Sequence, residues 1–205
     1  MFEHLFKFQL VAIDADKLEI EKLWNEIKKE YSKKSRHYHN LSHLDNLTME
    51  LLAIKDRISD WQTLVFSIAY HDIVYSTLKS DNEEKSAEFA RRRLTKLSIA
   101  DLKKEKCVSQ IIATKSHNPS EDNDTNYFTD ADLSILGADN EQYFNYSSLI
   151  RKEYKFYPDI VYNPGRQKVL RHFLSMERIY KTNYFRDKYE KQAKENINDE
   201  LRRLS

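Results

Sequence analysis

The chain has 205 residues, a length typical of one domain with its own hydrophobic core. Lysine and arginine total 34, against 33 aspartates and glutamates, so the formal net charge is only +1. Such a balance provides no overall field that would attract a nucleic acid polymer or an anionic membrane. Cys107 is the only cysteine, which excludes an internal disulfide framework and a cysteine-rich zinc module. Any protein ligand to a metal must therefore be a histidine, an aspartate or a glutamate.

The start of the chain does not resemble a targeting segment. Charge interrupts the apolar residues of the first seven positions too early for a signal peptide, and no apolar run approaches bilayer length. A single cysteine is also compatible with a reducing compartment. We therefore expect a soluble, cytoplasmic protein with no membrane partner.

The composition favours helices, since only two glycines and three prolines occur and 33% of the residues are charged. Apolar residues recur at helical spacing from Ile20 to Tyr31, and Asp16 followed by Glu19 offers a capping box before them. This pattern predicts the first long helix. A second helix is predicted over residues 44–54.

The third predicted helix runs from Trp61 to about Tyr75 and begins with a capping box of Ser59 and Gln62. It is apolar on nearly all sides. A helix of this kind is typical of the centre of a bundle.

Two further helices are predicted around residues 87–94 and 102–112, the second ending near residues 117–119. The polar residues 120–126 indicate a surface loop.

Residues 130–136 predict a short helix that Gly137 closes in a left-handed conformation, and Asp139 is predicted to cap the next helix. A break is expected over residues 158–165. The last two helices are predicted over residues 166–180 and 185–204. No strand is predicted, and the expected fold class is all-α.

Four short segments carry residue types that hold a divalent cation: residues 38–43 (YHNLSH), 71–72 (HD), 113–117 (ATKSH) and 131–134 (ADLS). Imidazoles and carboxylates bind hard or borderline divalent ions, and such an ion generates hydroxide near neutral pH. The segments therefore predict a metal site and hydrolytic chemistry.

His39 and His43 lie four residues apart, so on a helix they would share one face. The zinc-protease pattern has this spacing but needs a glutamate after the first histidine, where this chain has Asn40. A protease would lack its general base. We therefore favour another hydrolytic reaction.

Asp72 lies in an apolar stretch, where a buried carboxylate costs several kcal/mol unless a cation or hydrogen-bond donors meet it. A metal ion would meet it. The alternative is an ion pair with an arginine such as Arg36, Arg92 or Arg151, and the sequence leaves both interpretations open.

In their order and helical context, the segments resemble the HD superfamily of metal-dependent phosphohydrolases, whose metal is held by a His, a His-Asp pair and a distant Asp. Residues 38–43 and 131–134 are also similar to the Tyr-His-Asn-x-x-His and Ala-Asp-Leu-Ser motifs of class I cyclic nucleotide phosphodiesterases, a branch of that superfamily. Over residues 36–201 the chain resembles a small bacterial group of predicted HD phosphohydrolases, which shares segments like Arg-x-Tyr-His-Asn and Asp-Ala-Asp-Leu-x-Ile-Leu-Gly.

This resemblance implies a single HD-type helical bundle over residues 1–205, with the N- and C-terminal helices packed on the core. It implies one divalent ion with four protein ligands: His43, His71, Asp72 and Asp132. Imidazole with carboxylate admits Mn, Fe, Zn, Ni or Co, and an oxygen-rich face admits Mg. Asp130 is a second choice for the last ligand. The phosphodiesterases continue after the His-Asp pair with an Asp-His-Pro-Gly-like segment that this chain lacks, so a second metal is left open.

The resemblance gives His39 the task of donating a proton to the leaving oxygen. Glu83 is a candidate for orienting a water or acting as a base, and His117 for lining the site or binding a second metal. Glu83 and His117 each have an alternative in which the side chain has only a structural task. Glu83 would be an acid favoured by a helix N-terminus, and His117 a surface residue that satisfies a terminal carbonyl.

Four cationic side chains near motifs or turns are candidates for binding phosphate: Arg36, Lys115, Arg151 and Arg166. Each has the alternative of being a solvated surface charge. The predicted activity is hydrolysis of a nucleotide or another small phosphate ester, with monoester and diester cleavage both open. The alternatives are a non-catalytic nucleotide sensor that holds a metal, a structural metalloprotein, and a helical scaffold with coincidental histidines. The oligomeric state is left open, a dimer included.

Overall fold

The computed structural model describes residues 1–204, and all regular structure in this part of the chain is helical. This confirms the predicted all-α class. Two short 3-10 helices occur at Lys55–Arg57 and Ser134–Gly137. The α-helices of the described residues are α1 (Phe2–Val11), α2 (Lys17–Tyr31), α3 (Leu41–Leu52), α4 (Trp61–Tyr70), α5 (Asn82–Lys96), α6 (Asp101–Ala113), α7 (Asn123–Asp132), α8 (Asn140–Glu153), α9 (Asp159–Ser175) and α10 (Asn183–Arg203).

The chain forms two compact units, of which the first comprises Met1–Thr129 and the second begins at Asp130. Helix α7 starts in the first unit, and its last three residues belong to the second. The single domain predicted over residues 1–205 stays a prediction. Across residues 1–204, none of the helices combines the length and the apolar character that crossing a bilayer would require.

The core of the first unit is built around α4, in which every residue from Thr63 to Tyr70 is buried. Helices α1, α3, α5 and α6 all pack against it. The ring of Phe6 on α1 meets the rings of Phe66 and Tyr70 edge to face, each at 6.2 Å between centroids. Such aromatic pairs add to the free energy gained from burial. The apolar sequence of α4 therefore predicts its central position correctly.

Both ends of α4 differ from the prediction. Asp60 rather than Ser59 is the N-cap, because its carboxylate accepts hydrogen bonds from the backbone N–H and the hydroxyl of Thr63. At the other end the helix stops at Tyr70, well before Tyr75. The His-Asp segment consequently lies in the turn after the helix instead of within it.

The surface loop predicted over residues 120–126 is wrong, because α7 begins inside it. Asp124 is only 1% exposed, and its carboxylate accepts hydrogen bonds from the backbone N–H groups of Ser59 and Asp60. Lys106 supplies the opposite charge at 2.7 Å. These distant donors stabilise the buried carboxylate of Asp124, so a helix begins where the local polar sequence indicates a loop.

In the second unit, Gly137 does not adopt the predicted left-handed conformation, since no glycine has a positive φ. A Cβ atom at this position would lie 2.5 Å from the Cβ of Tyr189 and 2.6 Å from its carbonyl oxygen. Glycine is needed here because the 3-10 helix approaches α10 closely. Asp139 caps α8 as predicted, with its carboxylate accepting the N–H of Gln142.

The break predicted over residues 158–165 is also wrong, because α9 runs through this stretch with Pro164 inside it. Tyr162, Arg166 and Leu170 of this helix are buried. Burial along this face outweighs the local tendency of proline to interrupt a helix.

Candidate metal centre

The backbone after α4 is held by the guanidinium group of Arg36. This side chain is 5% exposed, and its Nη1 donates to the carbonyl oxygens of Asp72, at 2.7 Å, and His39, at 3.2 Å. Its Nη2 donates to the carbonyl oxygen of Ile73 at 3.0 Å. Arg36 therefore fixes the two motif segments relative to each other, and its contact with phosphate stays a prediction.

A second contact to this turn comes from the end of α2. The backbone N–H of Asp72 donates to the hydroxyl oxygen of Tyr31 at 3.2 Å. Sequence reasoning assigned Tyr31 only to a helix core, since no local signal connects it to a residue 41 positions away. Its aromatic ring also lies 4.7 Å from the guanidinium carbon of Arg36.

His43 is placed by the first turn of α3. Asn40 is the N-cap of this helix, and its side-chain oxygen accepts the backbone N–H of Ser42 at 2.8 Å. His43 follows as the third helical residue and is 4% exposed. The residue that rules out the zinc-protease pattern thus has a structural function as a helix cap.

The side chains of His43 and His71 meet with their Nε2 atoms 3.1 Å apart. The Nδ1 of His71 lies 3.0 Å from the carbonyl oxygen of Ile68, to which it donates. In the neutral ring this leaves a lone pair on Nε2, the arrangement found in metal-binding histidines. Two nitrogens bound to one ion at about 2.1 Å lie about 3.0–3.4 Å apart. The observed separation therefore fits two ligands of one ion.

Two carboxylates adjoin this pair. The Oδ2 atom of Asp72 lies 3.4 Å from Nε2 of His71. Asp132, the last residue of α7, offers an oxygen that lies within 4.8 Å of the ligand atoms of both His43 and His71. The four predicted ligands offer imidazole nitrogens and carboxylate oxygens, a set of ligand atoms suited to a divalent transition metal or to Mg²⁺.

Asp130, the second choice for the last ligand, has another task. It is fully buried, and its carboxylate accepts the backbone N–H groups of Lys181 and Thr182. It also accepts the hydroxyl of Thr182 at 2.7 Å. Asp130 therefore anchors the segment that leads into α10 and is not a candidate ligand.

His39 lies beside the predicted ligands. Its Nε2 is 4.0 Å from Oδ2 of Asp72, and its ring centroid is 4.4 Å from that of Tyr75. The side chain is 21% exposed, whereas that of His71 is 1% exposed. His39 can thus contact a molecule from solvent, and its ring packs against the ring of Tyr75.

Glu83 stands in the first turn of α5 and is half-buried. Burial raises its pKa above the usual value, and the negative charge of Asp72 acts in the same direction. The N-terminal part of α5 is tied to the turn after α4, because the hydroxyl of Ser86 bonds to both the N–H and the carbonyl of Val74. The predicted base therefore lies within electrostatic range of the candidate centre.

The other two candidates near α6 are differently placed. The ammonium of Lys115 pairs with Glu84 and donates to the carbonyl oxygen of Ser80 at 3.0 Å, which ties the end of α6 to the loop before α5. His117 has a left-handed backbone, with φ of 54°, and its N–H donates to the carbonyl of Ala113. Its main chain thus ends the helix, and the task of its side chain stays a prediction.

The last two phosphate candidates lie in the second unit and have protein partners. Arg151 donates to the carboxylate of Asp159 and to the carbonyl oxygen of Tyr154. Arg166 is 9% exposed and forms a two-point ion pair with Glu200, at 2.8 and 3.0 Å. Their binding of phosphate stays a prediction.

Comparisons of the chain with protein-family models, with curated proteins and with solved structures each found no match. The similarity to the HD superfamily therefore depends on the sequence segments alone.

Proposed function

We propose that the protein is a metal-dependent phosphohydrolase that acts on a nucleotide or another small phosphate ester. The observation that carries the proposal is the 3.1 Å approach of the Nε2 atoms of His43 and His71, with the carboxylates of Asp72 and Asp132 beside them. Two imidazole nitrogens with two carboxylates beside them are ligands that together bind a divalent cation.

His43, His71, Asp72 and Asp132 would hold the ion. A divalent ion bound there would supply Lewis-acid polarisation of a phosphoryl oxygen and a water acidified for attack. The Ile68 carbonyl keeps the His71 ring in the tautomer that presents Nε2. Arg36 holds the main chain of Asp72, so the carboxylate is presented from a fixed turn.

Two other side chains would move protons. Glu83, whose pKa is raised by burial, would orient the attacking water or accept its proton. His39 would donate a proton to the departing oxygen, since it is partly exposed and lies beside Asp72. Neither side chain needs to bind the ion for these tasks.

The test is phosphate release from a panel of mononucleotides, cyclic nucleotides and guanosine polyphosphates. We expect Asp72→Ala to lower the rate by more than about 100-fold, because losing a ligand costs more than losing the residue that orients one. Asp56→Ala is the matched control, since Asp56 is exposed in the short helix before α4.

Wild-type activity that survives exhaustive chelation would contradict the proposal. Saturable nucleotide binding without phosphate release from any compound would favour the sensor alternative instead.

A further inference from the structure

An exposed apolar surface lies in the second unit, where α8 ends and α9 begins. We call residues 152–161 the α8–α9 corner. Phe156 is 74% exposed there, Ile160 84% and Val161 51%. Phe156 and Ile160 are four residues apart in the chain, so their Cα atoms lie within about 15 Å of each other. Large apolar side chains that are exposed as a cluster, unlike those scattered singly, mark an interaction surface.

The polar groups of the corner are bonded within the protein by Arg151. Its Nη1 donates to the carbonyl oxygen of Tyr154 and its Nη2 to that of Tyr157, each at 3.0 Å. Its Nε and Nη2 also donate to Oδ1 of Asp159, at 3.0 and 2.7 Å. Carbonyl and carboxylate oxygens resist leaving water unless they have such donors. Arg151 therefore lowers the free-energy cost of moving the corner out of water.

The remaining charge of the corner is positive. Glu153 is buried, at 4% exposed, and Asp159 has its arginine partner. Lys152 and Lys155 are exposed and form no ion pair with the residues that the structure describes. The Nζ atom of Lys155 lies 5.3 Å from the ring centroid of Phe156, so a cation adjoins the exposed aromatic ring. A complementary partner is therefore anionic as well as apolar.

A bilayer surface fits these features better than a protein does. Exposed fractions of this size mean that the side chains project from a convex corner, whereas an apolar peptide segment binds in a groove. A second copy docked through the same patch on a twofold axis would bring the lysines of both chains together. Anionic lipid headgroups attract lysines, and the boundary between headgroups and acyl chains accepts apolar and aromatic side chains.

We propose that the α8–α9 corner binds the surface of an anionic lipid bilayer. Phe156 and Ile160 enter the headgroup region, and Lys152 and Lys155 contact the lipid phosphates. The net charge of +1, from which we expect no membrane partner, does not oppose this contact, because charges act over only about 8 Å at physiological ionic strength. The inference is independent of the candidate metal centre.

The first experiment measures co-sedimentation of the full chain with vesicles of phosphatidylcholine alone, or of phosphatidylcholine and phosphatidylserine in equal parts. We expect Phe156→Ser/Ile160→Ser to lower the partition coefficient on the anionic vesicles by about tenfold or more, because two apolar side chains no longer leave water. Leu18→Ser/Leu102→Ser is the matched control, since these leucines are 84% and 88% exposed in the first unit. Equal losses in the two double variants, or no binding by the wild type, would overturn the proposal.

The second experiment tests the charge of the corner with the same vesicles. We expect Lys152→Glu/Lys155→Glu to lower the partition coefficient on the anionic vesicles by about tenfold or more and to leave binding to phosphatidylcholine alone unchanged. Lys28→Glu/Lys29→Glu is the control, since both lysines are exposed in the last turn of α2. Equal binding of the wild type to both kinds of vesicle would contradict the proposal.

Sedimentation equilibrium distinguishes a second copy from a lipid surface. We expect no dimer that depends on the corner. A wild-type dimer that the serine double variant of the corner dissociates, together with no vesicle binding, would assign the corner to a second copy and overturn the lipid assignment.

Discussion

Two polar clusters, one in each unit, differ in how their charged groups are partnered. In the second unit, Nε and Nη2 of Arg166 donate to the two carboxylate oxygens of Glu200, and the hydroxyl of Tyr143 donates to one of them at 2.5 Å. Every donor there meets an acceptor. In the first unit, the Nε2 atoms of His43 and His71 lie 3.1 Å apart, and Oδ2 of Asp72 lies 3.4 Å from Nε2 of His71. Because Nδ1 of His71 donates to the carbonyl oxygen of Ile68, the Nε2 of the neutral His71 ring is an acceptor.

The difference separates a structural cluster from a ligand-binding one. A donor that faces an acceptor completes the hydrogen bonding within the protein, and removing either partner leaves a buried charge. Imidazole nitrogens and carboxylate oxygens that converge on one point are the ligand types that bind a divalent cation from outside. The two clusters should therefore respond in opposite ways to the loss of one member.

The largest effect on stability is expected for Arg166→Met. The variant leaves the Glu200 carboxylate buried without its partner, so we expect the free energy of unfolding to fall by about 3–5 kcal/mol in urea denaturation. Arg171→Met, at an exposed position of α9, is the control. The double variant Arg166→Met/Glu200→Met should recover much of the loss, and a loss below about 1 kcal/mol in the single variant would contradict the comparison.

The matching change in the first unit is Asp72→Asn. Under chelation we expect the free energy of unfolding to stay within about 1 kcal/mol of the wild type or to rise, because the change removes a negative charge from beside an imidazole lone pair. Residues placed for ligand binding commonly reduce stability in this way. Urea denaturation with chelator measures the effect. A loss of more than about 2 kcal/mol would show that the cluster is complete without a cation.

A smaller, pH-dependent effect is expected at Glu190 in the second unit. Burial raises its pKa, but the hydrogen bonds from Lys194 and from the N–H groups of Tyr180 and Ile179 outweigh this, so the pKa is lowered from 4.5. A lowered pKa in the folded state means that stability is present above pH 4.5 and is lost as the pH falls through the folded pKa.

Glu190→Gln should therefore cost about 1 kcal/mol at neutral pH and flatten the dependence of stability on pH in the acidic range. Thermal denaturation between pH 3 and pH 7 measures both. An unchanged acid profile in the variant would show that other carboxylates determine the acid sensitivity.

Local sequence signals predict the elements whose ends depend on local contacts. Asp16 and Asp139 cap α2 and α8 as expected, because the N–H groups they bond lie two or three residues away. The start of α7 could not be predicted in this way. It depends on Asp124 meeting the N–H groups of Ser59 and Asp60, which lie 65 and 64 residues away in the chain.

The candidate site also has one part that the sequence predicts and one part that depends on distant contacts. The residue types and order of the motifs predict ligands that lie together in the structure, including His43, His71 and Asp132. The task of Arg36 could not be predicted, because it depends on α4 ending at Tyr70. Only that early end exposes the carbonyl oxygens of the following turn, which then need donors. The side chain of Arg36 thus donates to the backbone, and its predicted contact with phosphate stays a prediction.

The most direct test of the central claim is elemental analysis of the purified protein, before and after reloading with divalent ions. The account predicts one ion per chain in the wild type. It predicts loss of that ion when His43 and Asp132 are replaced by alanine, with retention in Arg171→Met. A protein that takes up no divalent ion, or that keeps its ion without His43 and Asp132, would contradict the account.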